Sequence, residues 1–128
     1  MDRIAEGETR VFERTFTVEE VRAFADLSGD AQPRHTEPDD DGRVMVHGLL
    51  TATLPTKIGG DLQALGRSVA FDFHRPVYTG ERITCSLTVE SVADHGDRCE
   101  FTTDVVCENA AGEPVLTGSI EGLVTADE

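Results

Sequence analysis

Residues 47–58 read HGLLTATLPTKI, and the reading of this stretch decides the fold. A helix drawn through it is apolar on nearly every side, and such a helix belongs inside a protein. Pro55 lacks an amide hydrogen and its ring clashes one turn back, so a kink or an early end is expected there. Gly59 and Gly60 are expected to stop the helix. A buried helix needs cover, and the rest of the chain must supply it.

The C-terminal half reads as that cover. Residues 68–78, 82–93, 98–108 and 114–124 mostly alternate and are rich in Val, Thr, Phe, Ile and Cys, the signature of four strands. Residues 94–97 (DHGD) and 109–112 (NAAG) are turns, so the last three strands should form an antiparallel meander. Upstream, residues 8–16 alternate as a further strand. Thr17 then caps a helix, with Glu20 as its capping-box partner and Phe16 and Val21 as a hydrophobic staple. Val21, Phe24 and Ala25 fall on one helical face, and Gly29 suits the left-handed residue that ends it. The expected fold class is α+β, a curved antiparallel sheet wrapped around a long central helix, in a single domain over residues 1–128. Five strands around one helix leave open edges, and edge-to-edge pairing into a homodimer or a higher homo-oligomer would close them.

Composition narrows the function. Hydrophobic residues make up 38% of the 128, enough for one core, with no Trp and a single Tyr. Asp and Glu number 25 against 11 Lys and Arg, a formal charge of −14. That surface repels phosphate backbones, so nucleic acid is not an expected partner. The apolar patterning argues against disorder. Only one basic residue is Lys (Lys57), and this balance resembles proteins of extreme halophiles, whose carboxylates keep the surface hydrated in salt. No run is apolar and long enough to cross a membrane, and MDRIAEGETR carries no basic-then-apolar secretory pattern, so a cytoplasmic protein is expected. Cys85, Cys99 and Cys107 fit no zinc or redox spacing and read as small core residues.

Three segments carry the chemistry. In SGDAQPRH (28–35), Asp30 begins a loop after the first helix, and Pro33 stiffens the link to His35. A carboxylate beside an imidazole orients one ring nitrogen, and such a pair can hold a water, take its proton and return a proton to carbon. A turn-forming Asp and a surface His are the other reading, and on spacing alone the commoner one. In HGLL (47–50), Gly48 at the helix start offers an N–H with no partner inside the helix, suited to a developing oxyanion; alternatively it only permits close packing. FDFHRPVYTGERI (71–83) reads as structural, a strand leading into a turn at Gly80.

In this order and at these gaps, the three segments resemble the MaoC-like dehydratases, among them the (R)-specific enoyl-CoA hydratases of the hot-dog fold. The resemblance covers residues 16–124 and implies a sheet wrapped round a central helix, with dimers whose sites lie near the subunit interface. It implies that Asp30 and His35 are the catalytic pair, adding water to a trans-2-enoyl thioester, and that the Gly48 N–H binds the thioester carbonyl. Gln32 stands where the family has Asn, and Thr56 where many members have Ser. No metal or redox cofactor is implied; a coenzyme A thioester is the substrate. Its anionic carrier makes Arg34, Arg43, Arg67 and Arg75 candidate contacts. The link from His35 to His47, carrying EPDDDGRVMV, is shorter than usual in the family, so chain-length preference is not inherited. Two alternatives remain. A hot-dog thioesterase would want an acidic residue on the central helix; residues 48–58 hold none, though Asp61 lies just beyond. A non-catalytic acyl-thioester-binding subunit would have no use for an Asp–His pair.

Overall fold

The structure, a computed structural model, describes residues 4–125. The N-terminal reading over residues 1–10 lies outside it at residues 1–3, and the domain expected over 1–128 does so at both ends. The elements run β1 (Thr9–Thr15), α1 (Val18–Ser28), α2 (Pro33–Thr36), β2 (Met45–Val46), α3 (Gly48–Thr51), α4 (Thr53–Asp61), β3 (Leu65–Phe73), β4 (Val77–Tyr78), β5 (Arg82–Asp94), β6 (Arg98–Glu108) and β7 (Pro114–Thr125). Five strands make one sheet in the order β1-β5-β6-β7-β3, with antiparallel neighbours. The expected meander is β5-β6-β7. Alternation gives the sheet its buried face: Ile83, Cys85, Leu87 and Val89 point inward from β5, and Cys99, Phe101, Val105 and Cys107 from β6. Leu50, Ala52, Leu54, Ile58 and Leu62 of the central helical segment join the same core. The three cysteines are free and buried, as core residues should be. No helix among the described residues is long and apolar enough to cross a membrane.

The cap signals of α1 appear in full. Glu20 N–H donates to Thr17 Oγ1 (3.2 Å), Thr17 N–H donates to Glu20 Oε1 (2.9 Å), and Gly29 ends the helix at φ 82°. Val21 and Ala25 are buried beneath it.

The central helix is interrupted, as Pro55 led one to expect, but ahead of the proline. It is two pieces, α3 and α4, broken at Ala52, three residues before Pro55. Pro55 has no N–H for the Thr51 carbonyl one turn back, and Pro is tolerated where it now stands, in the first turn of α4. Gly59 and Gly60 do not stop the helix. It runs to Asp61, because Ile58 and Leu62 hold that turn in the core at a glycine cost of about 1 kcal/mol each. Nor is it buried all round: Leu49, Thr56 and Lys57 are exposed. Residues 68–78 are likewise not one strand. β3 starts at Leu65, and the His74 N–H makes a last bond to Val115 O (2.9 Å). Pro76 has no donor to continue the ladder, and β4 pairs with β2 as a separate two-stranded sheet. The turn after α1 also holds structure the spacing did not suggest, the single helical turn α2.

Candidate active site

α2 places the first two side chains. Pro33 occupies its first turn, where a missing N–H is no loss, and the turn carries His35 inward while Arg34 stays exposed. His35 Nδ1 donates to the Met45 carbonyl at 2.6 Å. Nε2 stands 3.7 Å from Asp30 Oδ2, and in the neutral ring it is the nitrogen that carries the lone pair. The sequence suggested that the carboxylate orients the imidazole; the backbone of β2 does so instead. Asp30 Oδ1 accepts from Gln32 Nε2 at 2.8 Å. This side-chain amide is the main cause holding the Asp30 carboxyl below its ordinary value. Desolvation opposes it, while the Gln32 backbone N–H and the fields of His35 and His47 add to it.

His47 was not singled out by sequence reasoning, and it lies at the centre. Its ring is buried, donates from Nε2 to the Asp30 backbone carbonyl at 2.8 Å, and meets Phe24 edge-on. It stacks on His35, with centroids 3.7 Å apart and planes 16° apart. Its Nδ1 and the hydroxyl of Thr51 are the two buried side-chain polar atoms without a partner among the described residues, and both residues line the same cleft. Buried unpaired polar atoms concentrate where function keeps them. Gly48 follows. Its N–H has no acceptor among the described residues. A Cβ here would stand 2.8 Å from the Phe73 ring, so a larger residue would push that half-exposed ring aside.

These groups wall a cleft of about 700 Å³ whose apolar side includes Phe24, Met45, Leu49, Phe73 and Val77. Residues 73–77 thus line the cleft, which corrects the purely structural role read for 71–83; the chain leaves β3 there, and His74, Arg75 and Pro76 form part of the wall. Asp30, Gln32, His35 and Gly48 share this cleft and Thr56 does not. Thr56 is exposed and donates to the Ala52 carbonyl at 2.9 Å. Asp61 pairs with Lys57 on the exposed side of α4, away from the cleft. Of the four arginines, Arg43 pairs with Asp39 (3.2 Å), Arg67 with Glu100 (3.5 Å) and Arg75 with Glu113 (3.4 Å). Arg34 lines the cleft with no such partner among the described residues.

Asp30, His35 and His47 each offer a ligand atom, all within 4.8 Å of one another. The donor types would suit a divalent transition metal. The two imidazoles, however, stack nearly parallel, so their in-plane lone pairs do not converge at metal–nitrogen distances of about 2.0–2.1 Å. The arrangement suits proton transfer better than metal binding.

The sequence pattern of one family, the MaoC like domain, matches residues 3–111. The chain belongs to that family. This MaoC-like chain is 29% identical over 125 residues to the (R)-specific enoyl-CoA hydratase of Aeromonas caviae, covering 86% of the chain and 92% of the relative. It is 28% identical over 122 residues to the 3-hydroxyacyl-thioester dehydratase Z of Mycobacterium tuberculosis, covering 83% and 81%. Among solved structures it matches the (R)-hydratase from A. caviae involved in PHA biosynthesis with a TM-score of 0.84 at 24% identity, over 98% and 99% of the two chains. A hot-dog-like protein from Thermanaerovibrio acidaminovorans matches at 0.67 and 17% identity, over 99% and 90%. The fold is therefore the hot-dog fold, and the MaoC-like relatives are named as hydratases and dehydratases, enzymes of the hydro-lyase type.

Proposed function

We propose that this MaoC-like protein is an (R)-specific enoyl-CoA hydratase, adding water across the double bond of a trans-2-enoyl thioester and, in reverse, dehydrating the (R)-3-hydroxyacyl thioester. The observation that carries the reading is the pair itself. An imidazole nitrogen with its lone pair free stands 3.7 Å from a carboxylate, in a cleft that also holds an unpartnered helix-start N–H. At that separation one water oxygen can touch both groups. As the water oxygen bonds to Cβ, the pair removes its proton and the π electrons move to the thioester oxygen. The Gly48 N–H stabilises the resulting enolate oxygen. The enolate then collapses, and the removed proton is delivered to Cα, so water is added and nothing else is consumed. The thioester carbonyl is the electron sink, so the step needs no metal or redox cofactor. The (R) sense rests on kinship with the named relatives.

Gln32 fills the orienting place of the family Asn through its bond to Asp30. Arg34 is the cation we assign to the anionic carrier. A homodimer completes the picture. Val69, Phe71 and Phe73 pair with Ile120, Gly118 and Leu116 and so share their helix-facing side, yet Val69 and Phe73 are 60% and 52% exposed. α3 meets this side at the Phe73 ring, yet Val69 stays uncovered, and a second copy added along that edge would cover it. We read the charge of −14 as adaptation to a salt-rich cytosol, in keeping with the free thiols, and would run assays in molar KCl. The thioesterase alternative loses support because Asp61 lies away from the cleft.

The test is hydration of crotonyl-CoA, followed by loss of the conjugated-thioester absorbance. Asp30→Asn and His35→Ala should each lower kcat at least 100-fold while circular dichroism stays native. Wild-type activity in both variants would sink the assignment, and release of free CoA without hydration would decide for a thioesterase.

A further inference from the structure

We propose that His47 is a positioning residue for this hydration, a single imidazole that fixes the acid–base pair and the carbonyl anchor relative to one another. The inference rests on the reading above. Its ground is that His47 joins three parts of the site at once. The Nε2–H holds the Asp30 backbone carbonyl at 2.8 Å, and the ring face lies against His35 at 3.7 Å. The backbone carbonyl accepts from Leu50 and Thr51, at 3.0 Å each, and so opens the helix that presents the Gly48 N–H.

The two rings use opposite tautomers. His35 donates from Nδ1 to Met45 and His47 from Nε2 to Asp30, so neither can turn over without breaking its bond to a carbonyl. The stack closes off the face of His35 that would otherwise let its ring tilt away from Asp30. Phe or Leu would avoid the buried, unpartnered Nδ1 but could not make the bond to the Asp30 carbonyl, so that bond is what the imidazole is kept for. The structure tolerates the unpaired atom at the one position where an imidazole touches both members of the pair, which fits a functional constraint.

Two variants separate the parts of the role. His47→Phe keeps a ring against His35 and deletes the donor to Asp30. His47→Gln keeps an N–H donor near the Nε2 position and deletes the stack. With crotonyl-CoA in molar KCl, His47→Phe should lower kcat about 10- to 100-fold with KM within about twofold, the signature of a misplaced reacting group. His47→Gln should fall between His47→Phe and wild type. Without the stack the His35 ring can swing off the Met45 carbonyl that fixes its tautomer, so by nitrogen-15 imidazole shifts His35 should be a single Nδ1–H tautomer in wild type and a mixture in His47→Gln. The inference is overturned if folded variants keep kcat within twofold of wild type. It is equally overturned if the loss of kcat only matches the unfolded fraction measured by circular dichroism. Should wild type hydrate no enoyl-CoA, the proposed function has failed and the tautomer measurement alone decides this one: a mixture in His47→Gln sustains it, and an unchanged tautomer overturns it.

Discussion

Gln32 Nε2 donates to one oxygen of Asp30 at 2.8 Å, while the other oxygen faces His35 Nε2 at 3.7 Å. The carboxylate is thus divided between an amide that donates to it and the imidazole proposed as its partner. Asp30 is half-exposed, so without the amide its side chain would be free to rotate into solvent.

That division predicts a pH effect. The Gln32 amide is the largest cause lowering the Asp30 pKa from its ordinary 3.8. A carboxyl with a lowered pKa stays ionised to lower pH. In Gln32→Ala the Asp30 carboxyl, followed by carbon-13 NMR, should titrate at higher pH than in wild type, toward that ordinary value. Superimposable Asp30 titrations in the two proteins would remove Gln32 from the role.

Arg34 gives a test of the carrier. Arg34→Ala should raise KM for crotonyl-CoA several-fold and leave kcat alone. The same variant should treat the N-acetylcysteamine thioester, which has no phosphate, as wild type does. Added salt should shrink the difference between the two proteins. Equal effects on both substrates would mean that Arg34 shapes the cleft and does not read the carrier.

The β3 edge predicts assembly. Wild type should sediment as a dimer, and Val69→Lys should give a folded monomer, because a charge on that inward but uncovered side blocks the second copy. A dimer that persists in Val69→Lys would move the interface elsewhere.

Stability should respond oppositely at two glycines. A Cβ on Gly118 of β7 would stand 2.0 Å from the Ala70 carbonyl oxygen of β3, a backbone atom that cannot step aside. Gly118→Ala should cost about 1–3 kcal/mol by urea unfolding. Gly60 lies exposed in α4 with nothing within 4 Å, so Gly60→Ala should gain up to about 1 kcal/mol. Equal changes at the two sites would refute this account of the packing.

Local signals were legible before any coordinates. The Thr17 capping box, the Gly29 terminus and the alternation of β5, β6 and β7 are written within a few residues of themselves, and each formed. Asp30, His35 and Gly48 were legible as a pattern, because short motifs keep their spacing. His47 stands beside Gly48 yet carries no local signal, since its partners lie 12 and 17 residues away and only the fold stacks it on His35. The split of 65–78 into two strands was hidden for a related reason. Pro76 ends one ladder, but the second depends on Met45 and Val46, far back in the chain. Thr56 failed differently. Its place came from the family resemblance alone, and in this chain its side chain is exposed, bonds the Ala52 carbonyl and lies outside the cleft.

Position 30 is gripped by its main chain. His47 holds the Asp30 carbonyl oxygen, and the Ser28 hydroxyl accepts from the Asp30 N–H at 3.1 Å, so the backbone there is tied down whatever side chain it carries. One codon change could therefore remove the proposed acid–base carboxylate while leaving the cleft intact. A scaffold built this way lets a duplicated copy fall silent without unfolding, and an inert copy with an intact cleft is already a ready-made binding subunit for its active sibling.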